Sequence, residues 1–201
     1  EAATKIGTPL ILKPNRGGKG LGVQLFNDLV TLQTYLESEL FEAGRDGTVL
    51  VQQYVRPADS SIIRNEFVGG KFLYAVRVDT GQGFELCPQE ACRIDDAYCP
   101  VGESAEERPM FEILDGFTHD NHAKYERFLA ANEIDVAGIE MIIDEDGKAW
   151  TYDVNTNTNY NPEAEAASGR TGTARSGPGA IADFLDRELF HAANPTLAAA
   201  E

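Results

Sequence analysis

Apolar and polar residues alternate along the chain in a way that predicts two regions of mixed helix and strand. Residues 10–12 are a short apolar run before a turn signal, which predicts a buried strand, and residues 48–55 predict a second one. Between them, leucines recur three and four residues apart, which predicts a helix capped by Asn27 and ending at Gly44. The leucines of this face are Leu29, Leu32, Leu36 and Leu40. We therefore expect a small α+β region up to about residue 54.

Antiparallel hairpins dominate the pattern after a predicted hinge at residues 57–60. Two pairs of β-rich segments are each separated by a turn dipeptide that is typical of hairpins. These are residues 62–68 and 71–78 around Gly69-Gly70, and residues 136–143 and 149–154 around Asp146-Gly147. We predict an α+β fold with two domains, residues 1–54 and 55–201.

Two further helices are predicted in the second region. The first runs from residue 120 to 132, capped by Asp120, and the second covers residues 177–190. Their apolar faces are expected to be Tyr125, Phe128 and Leu129 in the first, and Ile181, Leu185 and Leu189 in the second. The hydrophobic residues show little periodicity between residues 80 and 118, which predicts a long loop with short strands.

Composition excludes several classes of function. The 201 residues carry a formal net charge of -16, which disfavours bulk nucleic-acid binding because that requires a basic surface. No apolar run is long enough to cross a membrane. Cys87, Cys92 and Cys99 form no metal-binding spacing, so we interpret them as ordinary thiols of a reduced, cytoplasmic protein.

A glycine-rich loop after the first strand is a candidate phosphate-binding element. Lys13 lies where the strand gives way to the turn, and the residues that follow include Gly17, Gly18, Lys19, Gly20 and Gly22. Glycines allow backbone N–H groups to approach a polyanion, and the two lysines add positive charge. The spacing fits neither a P-loop nor the dinucleotide fingerprint. A plain turn between two strands remains the alternative.

A candidate metal site lies on the last predicted hairpin. Glu140 and Asp153 are both about six residues from the turn, so they are expected to lie side by side on adjacent strands. Alternation places Asn155 on the same face as Asp153. Two carboxylates and an amide oxygen suit Mg²⁺ and leave positions for phosphate oxygens. The alternative is a solvated acidic hairpin face.

The chain resembles the ATP-grasp superfamily in the order of its motifs. A strand with a lysine and a glycine loop comes first, and an acid and then Asp-x-Asn come last. The glutamate-ligase (RimK-type) branch is the most similar, and the resemblance extends over residues 5–190. Four segments carry it. They are the loop from Lys13 to Val23, the strand end QQYV, the hairpin IRNEFVGGKFLYAVR and the block GIEMIIDEDGKAWTYDVN.

The resemblance implies a specific fold and chemistry. It implies two α+β lobes with ATP in the cleft between them, the phosphates under the glycine loop, and Mg²⁺ on the acidic residues. It implies catalytic roles for Arg77, on the transferring group or an oxyanion, and for Arg64. The adenine contacts that it implies are Gln52, Gln53, Tyr54 and Val55. A carboxylate substrate would attack ATP to form an acyl phosphate, and an amine would then displace phosphate.

Other functions stay open at this level. The branch usually has a further N-terminal domain, which we expect this chain to lack, and the sequence after Asn155 departs from the usual pattern. The chain is therefore expected to act on an amino acid or peptide as ligase, or to bind Mg-ATP without complete ligase activity. A kinase that phosphorylates a hydroxyl is a third possibility. The sequence predicts no particular oligomeric state.

Overall fold

The computed structural model describes residues 2–17, 20–81 and 109–194. Contacts divide them into two compact units, of which the first contains the described residues up to Arg56 together with Gly81. The second unit contains Pro57–Thr80 and the described residues from 109 onward. The predicted phosphate-binding residues Gly18 and Lys19 lie outside the described residues, as do the three cysteines and most of the predicted loop between 80 and 118.

The first unit is a small sheet with two helices packed on it. Its elements are α1 (Ala2–Ile6), β1 (Leu10–Pro14), β2 (Gln24–Phe26), α2 (Leu29–Leu36) and β3 (Val49–Gln53). The strand order is β2-β1-β3, with both neighbours antiparallel to β1. Its core consists of Leu10, Leu12, Phe26 and Leu32. The predicted strands are confirmed, because the apolar run at the start of β1 fills this core.

Helix α2 differs from the prediction at both ends. Its cap is Asp28 rather than Asn27, since the Asp28 carboxylate accepts a hydrogen bond from the Thr31 backbone N–H at 2.8 Å. The helix ends at Leu36, well before Gly44, where the Ser38 hydroxyl donates to a carbonyl of the last turn. Among the predicted leucines only Leu32 is buried, because the narrow sheet covers a single turn of the helix.

The second unit is a five-stranded antiparallel sheet in the order β6-β5-β4-β7-β8. Its elements are β4 (Ser61–Val68), β5 (Lys71–Asp79), β6 (Phe111–Leu114), α3 (His122–Ala131), β7 (Val136–Ile143), β8 (Ala149–Asn155), α4 (Pro162–Ala167) and α5 (Gly177–Ala193). Both predicted hairpins are confirmed. Gly69 and Gly70 have φ of 60° and 66°, the left-handed conformation that a tight two-residue hairpin requires.

The two faces of this sheet have different chemistry. One face, which we call the core face, packs against α3. The cluster that it forms with that helix is Ile63, Phe67, Ala75, Tyr125, Leu129, Ala137, Ile139 and Met141. The other face, which we call the polar face, carries ionisable and amide side chains on its central and edge strands. They are Arg64, Glu66, Glu140, Asp153 and Asn155.

The helices of the second unit begin and pack differently from the predictions. Helix α3 is capped at Asn121 rather than Asp120, and Phe128 on its predicted apolar face is 44% exposed. In α5, Leu185 and Leu189 are 51% and 70% exposed, because the helix contacts the β4–β5 turn through another residue, Phe184. In the part of the chain that the structure describes, no helix has the length and apolar character of a membrane span.

Candidate functional site

Three charged residues form one row across the polar face. Arg64 of β4 pairs with Glu140 of β7, which in turn pairs with Asp153 of β8. Directly paired residues of antiparallel strands have Cβ atoms about 4.5–5.5 Å apart and side chains on the same face. The predicted pairing of Glu140 with Asp153 is therefore confirmed, whereas the place of Arg64 in the row was not foreseen.

A β-bulge next to this row adds a tyrosine to it. The register shifts after Glu140, which pairs with Asp153, while Met141 pairs with Thr151, so Tyr152 is the extra residue on β8. Burial, the charge of Glu140 and the hydrogen bond that the Tyr152 hydroxyl donates to Glu140 raise the pKa of Tyr152 well above its usual range. The bulge thus gives the Glu140 carboxylate a fixed donor that the sequence did not reveal.

The oxygen ligands on the polar face fit Mg²⁺. Asn155 lies two residues after Asp153 on the same face, and its Oδ1 also accepts the Asn157 backbone N–H at 2.9 Å. Within residues 2–17, 20–81 and 109–194, no group of three or more His, Cys, Asp and Glu side chains is arranged to hold a metal. The candidate donors on this face are two carboxylates, Glu140 and Asp153, and the amide of Asn155. Mg²⁺ is commonly bound by one or two carboxylates together with substrate phosphates.

Arg64 is held by a buried carboxylate and a hydroxyl. Its Nε lies 2.8 Å from Oε1 of Glu66, its Nη2 donates to the Thr158 hydroxyl, and that hydroxyl donates to Oε2 of Glu66 at 2.8 Å. Glu66 is only 1% exposed, and burial raises its pKa although the charge of Arg64 opposes the shift. A Cβ on Gly138 would lie 2.8 Å from the Arg64 Nε, so a glycine at position 138 makes room for this network.

A second buried carboxylate holds the segment that follows β8. Glu165 in α4 accepts hydrogen bonds from the Tyr74 hydroxyl at 2.7 Å and from the Gly177 backbone N–H at 2.6 Å. Burial and the hydrogen bond that the Tyr74 hydroxyl donates to the Glu165 carboxylate raise the pKa of Tyr74. The ring of Tyr160 lies where a side chain on Gly177 would be, since a Cβ there would come within 2.1 Å of it. The segment that begins after Asn155 is thus packed on β5.

Arg77, the other predicted catalytic arginine, is not brought together with this row. It pairs with Ile63 of the core face and with Glu112 of β6. Its Nη2 lies 2.6 Å from Oε2 of Glu112, which is half exposed. Alternation along β5 therefore separates Arg77 from Arg64 by the thickness of the sheet.

In the first unit, the glycine-rich loop is the connection between β1 and β2. Gly20 and Gly22 have φ of 75° and 74°, a conformation that favours glycine. A Cβ on Gly17 or Gly22 would lie 3.2 Å or 3.3 Å from the ring of Pro14, so the loop folds closely over the end of β1. Both features show that the described glycines on either side of residues 18 and 19 have a defined backbone conformation.

An aspartate holds the start of this loop. The Asp46 carboxylate accepts hydrogen bonds from the Asn15 side chain at 2.7 Å and from the Thr48 backbone N–H at 3.1 Å, and Arg16 lies 3.7 Å away. The hydrogen bond from Asn15 is the largest cause of the lowered pKa of Asp46. Sequence reasoning missed Asp46, which lies far from the loop along the chain.

The predicted nucleotide-binding side chains of the first unit divide between two faces. Pairing and alternation place Lys13 and Gln52 on the face opposite Leu10, whereas Gln53 pairs with Leu10 itself. Two further predicted contacts follow β3 directly. They are Tyr54, whose backbone N–H donates to Pro9, and Val55.

No family model matches the chain, but several curated proteins are similar to it. The chain is 26% identical over 178 residues to a D-alanine--D-alanine ligase of Synechococcus sp. (strain JA-3-3Ab), covering 86% of this chain and 51% of that protein. It is 31% identical over 77 residues to a probable alpha-L-glutamate ligase of Marinomonas sp. (strain MWYL1), covering 38% of this chain and 25% of that protein. The chain thus spans about half the length of the first relative.

Solved structures are similar over nearly the whole chain. D-cycloserine synthetase DcsG matches with a TM-score of 0.58 and 16% identity, over 93% of this chain and 58% of that one. The ATP-grasp ligase PsnB, in complex with a precursor variant, Mg and ADP, matches with a TM-score of 0.55 and 18% identity, over 90% and 47%. A RimK domain protein of Sphaerobacter thermophilus DSM 20745 matches with a TM-score of 0.51 and 20% identity, over 91% and 54%. At these identities the similarity concerns the fold.

Proposed function

Because the chain has the ATP-grasp fold, we propose that it acts as an ATP-dependent carbon–nitrogen ligase that joins a carboxylate to an amine through an acyl phosphate. The observation that carries the proposal is the row formed by Arg64, Glu140 and Asp153 on the polar face. A cation next to two carboxylates combines the ligands for a phosphate-bound Mg²⁺ with a donor for phosphate oxygens. The names of both relatives, which are amino-acid ligases, also support it.

In this proposal the polar face binds the phosphates of ATP. Glu140, Asp153 and Asn155 hold Mg²⁺, which would neutralise charge on the phosphate oxygens of ATP. Arg64 donates hydrogen bonds to the phosphoryl group that is transferred, and Tyr152 keeps the Glu140 carboxylate oriented. The protein needs to align and neutralise these groups, because ATP supplies the driving force for the amide-type bond.

In the first unit, the proposed phosphate-binding elements are the connection between β1 and β2 and Lys13. We propose that backbone N–H groups around Gly17, Gly20 and Gly22 bind phosphate oxygens, and that Lys13 neutralises the α- or β-phosphate. The resemblance implies the same role for Gly18 and Lys19, which lie outside the described residues. Gln52 to Val55 are proposed to contact adenine, with Gln52 on the same face as Lys13.

The substrates are proposed to be amino acids or short peptides. One relative is named for a dipeptide of alanine and the other for glutamate, and the PsnB structure contains a peptide precursor. In this chain the segment after Asn155 is held on the polar face by Thr158 and Glu165. We propose that this segment selects the acceptor amine.

ADP release tests the proposed reaction. We expect the chain to release ADP when Mg-ATP, a carboxylate amino acid and an amine are present together, because the acyl phosphate forms only with the carboxylate. Asp153→Asn should lower this rate by at least about tenfold, since a metal ligand is lost. Asp146→Asn is the matched control, because this exposed turn residue of the same hairpin lies outside the row.

Each outcome separates the candidate functions. ADP release that needs both substrates supports a ligase, whereas release with a single hydroxyl compound indicates a kinase. Stabilisation by Mg-ATP without ADP release indicates a module that binds nucleotide. Equal rates in the two aspartate variants would contradict the assignment of Asp153.

A further inference from the structure

The structure points to a positioning role for Glu66 and Thr158. We infer that these two residues fix the guanidinium of Arg64 beside Glu140, so that its remaining donors select the terminal phosphate of ATP. The inference rests on the proposed function and adds two residues that neither the fold nor the sequence assigned. Thr158 also links Arg64 to the segment that follows Asn155.

The contacts leave Arg64 little freedom. The distance of 2.8 Å from its Nε to Glu66, the bond from its Nη2 to Thr158 and the bond of 2.8 Å from Thr158 to Glu66 close a ring of three side chains. A guanidinium is planar, so fixing two of its nitrogens fixes the direction of the third. Arg64 thus differs from a surface arginine, which loses side-chain entropy when it binds an anion.

Burial makes the ring sensitive to the loss of one member. Glu66 is 1% exposed, and a buried carboxylate is costly unless it is paired and hydrogen-bonded. Its partners in the described part of the chain are Arg64 and Thr158. Thr158 is 92 residues from Glu66 along the chain, so the ring exists only in the folded protein.

The remaining donors of Arg64 have a defined neighbour. A guanidinium has five N–H donors. Among the described residues, Nη2 donates to the Thr158 hydroxyl, while the buried Nε lies 2.8 Å from Oε1 of Glu66 as an ion pair without a hydrogen bond. Arg64 is paired across the strands with Glu140, a proposed Mg²⁺ ligand. A phosphate oxygen that reaches the metal on this face would therefore lie near the guanidinium. ADP has no terminal phosphate, so Arg64 should favour ATP over ADP.

Nucleotide selectivity tests the inference. We expect Thr158→Val to weaken Mg-ATP binding about tenfold, as for the loss of one well-placed charge-assisted hydrogen bond, and to change Mg-ADP binding less than about twofold. Thr158→Ser keeps the hydroxyl and should restore selectivity. Thr156→Val, at an exposed position in the same segment, is the matched control and should bind both nucleotides as the wild type does.

A spectroscopic measurement on the full chain tests positioning without nucleotide. The Nε of Arg64 is buried beside Glu66, so its N–H should exchange slowly with water by NMR. Exchange should become faster in Thr158→Val and Glu66→Gln, because either change frees the guanidinium to move towards water. Thermal unfolding of each variant shows whether it is folded. Exchange that is unchanged in folded Thr158→Val would overturn the inference.

The binding outcomes are also decisive. If Thr158→Val weakens Mg-ATP and Mg-ADP equally, or weakens neither, the inference fails while the proposed function stands. If the wild-type chain binds neither nucleotide, the proposed function fails and the phosphate-selecting role of Arg64 fails with it. If Thr158→Val loses the selectivity for Mg-ATP over Mg-ADP and Thr158→Ser recovers it, the result supports both the inference and the proposed function.

Discussion

The two faces of the five-stranded sheet are made by the same strands but have opposite chemistry. Along β4, Ile63 and Phe67 point into the core under α3, while Arg64 and Glu66 point to the polar face. The centre of the core face is filled mainly by apolar side chains, which need no hydrogen-bond partner. The polar face has buried charges, each of which is held by a specific contact.

This difference shows what each face requires from the sequence. Apolar packing tolerates substitution when volume is kept, whereas a buried carboxylate depends on particular donors. The core face does contain polar groups, but they are also paired. Asn65 donates to the Ile139 carbonyl at 3.1 Å and contacts the His122 ring at 3.0 Å. We therefore expect substitutions on the core face to affect stability and those on the polar face to affect ligand binding.

The largest expected effect on stability comes from the core face. Phe67→Ala should lower the free energy of unfolding by about 3–5 kcal/mol, because Phe67 is completely buried and its loss leaves a cavity. Phe128→Ala is the control, since this side chain lies on α3 but is largely exposed, and it should cost less than about 1 kcal/mol. Urea denaturation measures both. Equal losses would contradict the difference in packing.

The pH dependence of stability should have opposite signs on the two faces. Burial raises the pKa of Glu66 above its ordinary value of 4.5, so the folded state binds a proton more tightly than the unfolded chain does and loses stability as the pH rises from 4.5 through the raised pKa. Burial lowers the pKa of His122 below its ordinary 6.5, and His119 adds to this while Glu126 opposes it. The folded state then loses stability as the pH falls through the lowered pKa.

Two variants measure these contributions separately. Glu66→Gln should remove the loss of stability that begins above pH 4.5, and His122→Gln should remove the loss that begins below pH 6.5. Denaturant unfolding at a series of pH values gives each difference from the wild type. If the stability difference from the wild type changes with pH in the same direction for both variants, the opposite pKa shifts assigned to Glu66 and His122 are contradicted.

The smallest effect is expected at Arg77. The resemblance implied a role at the transferring group, but Arg77 lies across the sheet from the row and pairs with the half-exposed Glu112. Arg77→Lys keeps the charge but cannot reproduce the two hydrogen bonds that Nε and Nη2 donate to Glu112. By its position it should leave Mg-ATP affinity within about twofold of the wild type, whereas Arg64→Lys should weaken it about tenfold because the planar contacts are lost. Calorimetric titration of both variants compares them, and a tenfold loss for Arg77→Lys would restore the role implied by the resemblance.

Strands and hairpins could be predicted because their signals are local. Gly69-Gly70 and Asp146-Gly147 each determine a turn. The turn alone would pair Glu140 with Tyr152, and the bulge at Tyr152 moves Asp153 opposite Glu140. The helix faces were predicted less well. Leu185 follows the helical period, but burial depends on which part of α5 meets the sheet, and that is a tertiary property.

The contacts within the site were harder to predict for the same reason. The bulge at Tyr152 shifts the register by one residue without a glycine or other sequence signal. The bond from Thr158 to Glu66 joins segments 92 residues apart. The short helix α4 did have a signal, since Asn161 precedes Pro162 as a cap, and recognising it would have placed Glu165 near its partners.

The most direct test of the central claim is the affinity for ATP as a function of Mg²⁺ concentration, measured by calorimetric titration of the wild type and of Asp153→Asn. The claim is that the polar face holds the Mg²⁺ of ATP. It predicts that Mg²⁺ strengthens ATP binding to the wild type, and that Asp153→Asn reduces this gain by at least about tenfold while remaining folded. A gain from Mg²⁺ that is equal in both proteins would contradict it.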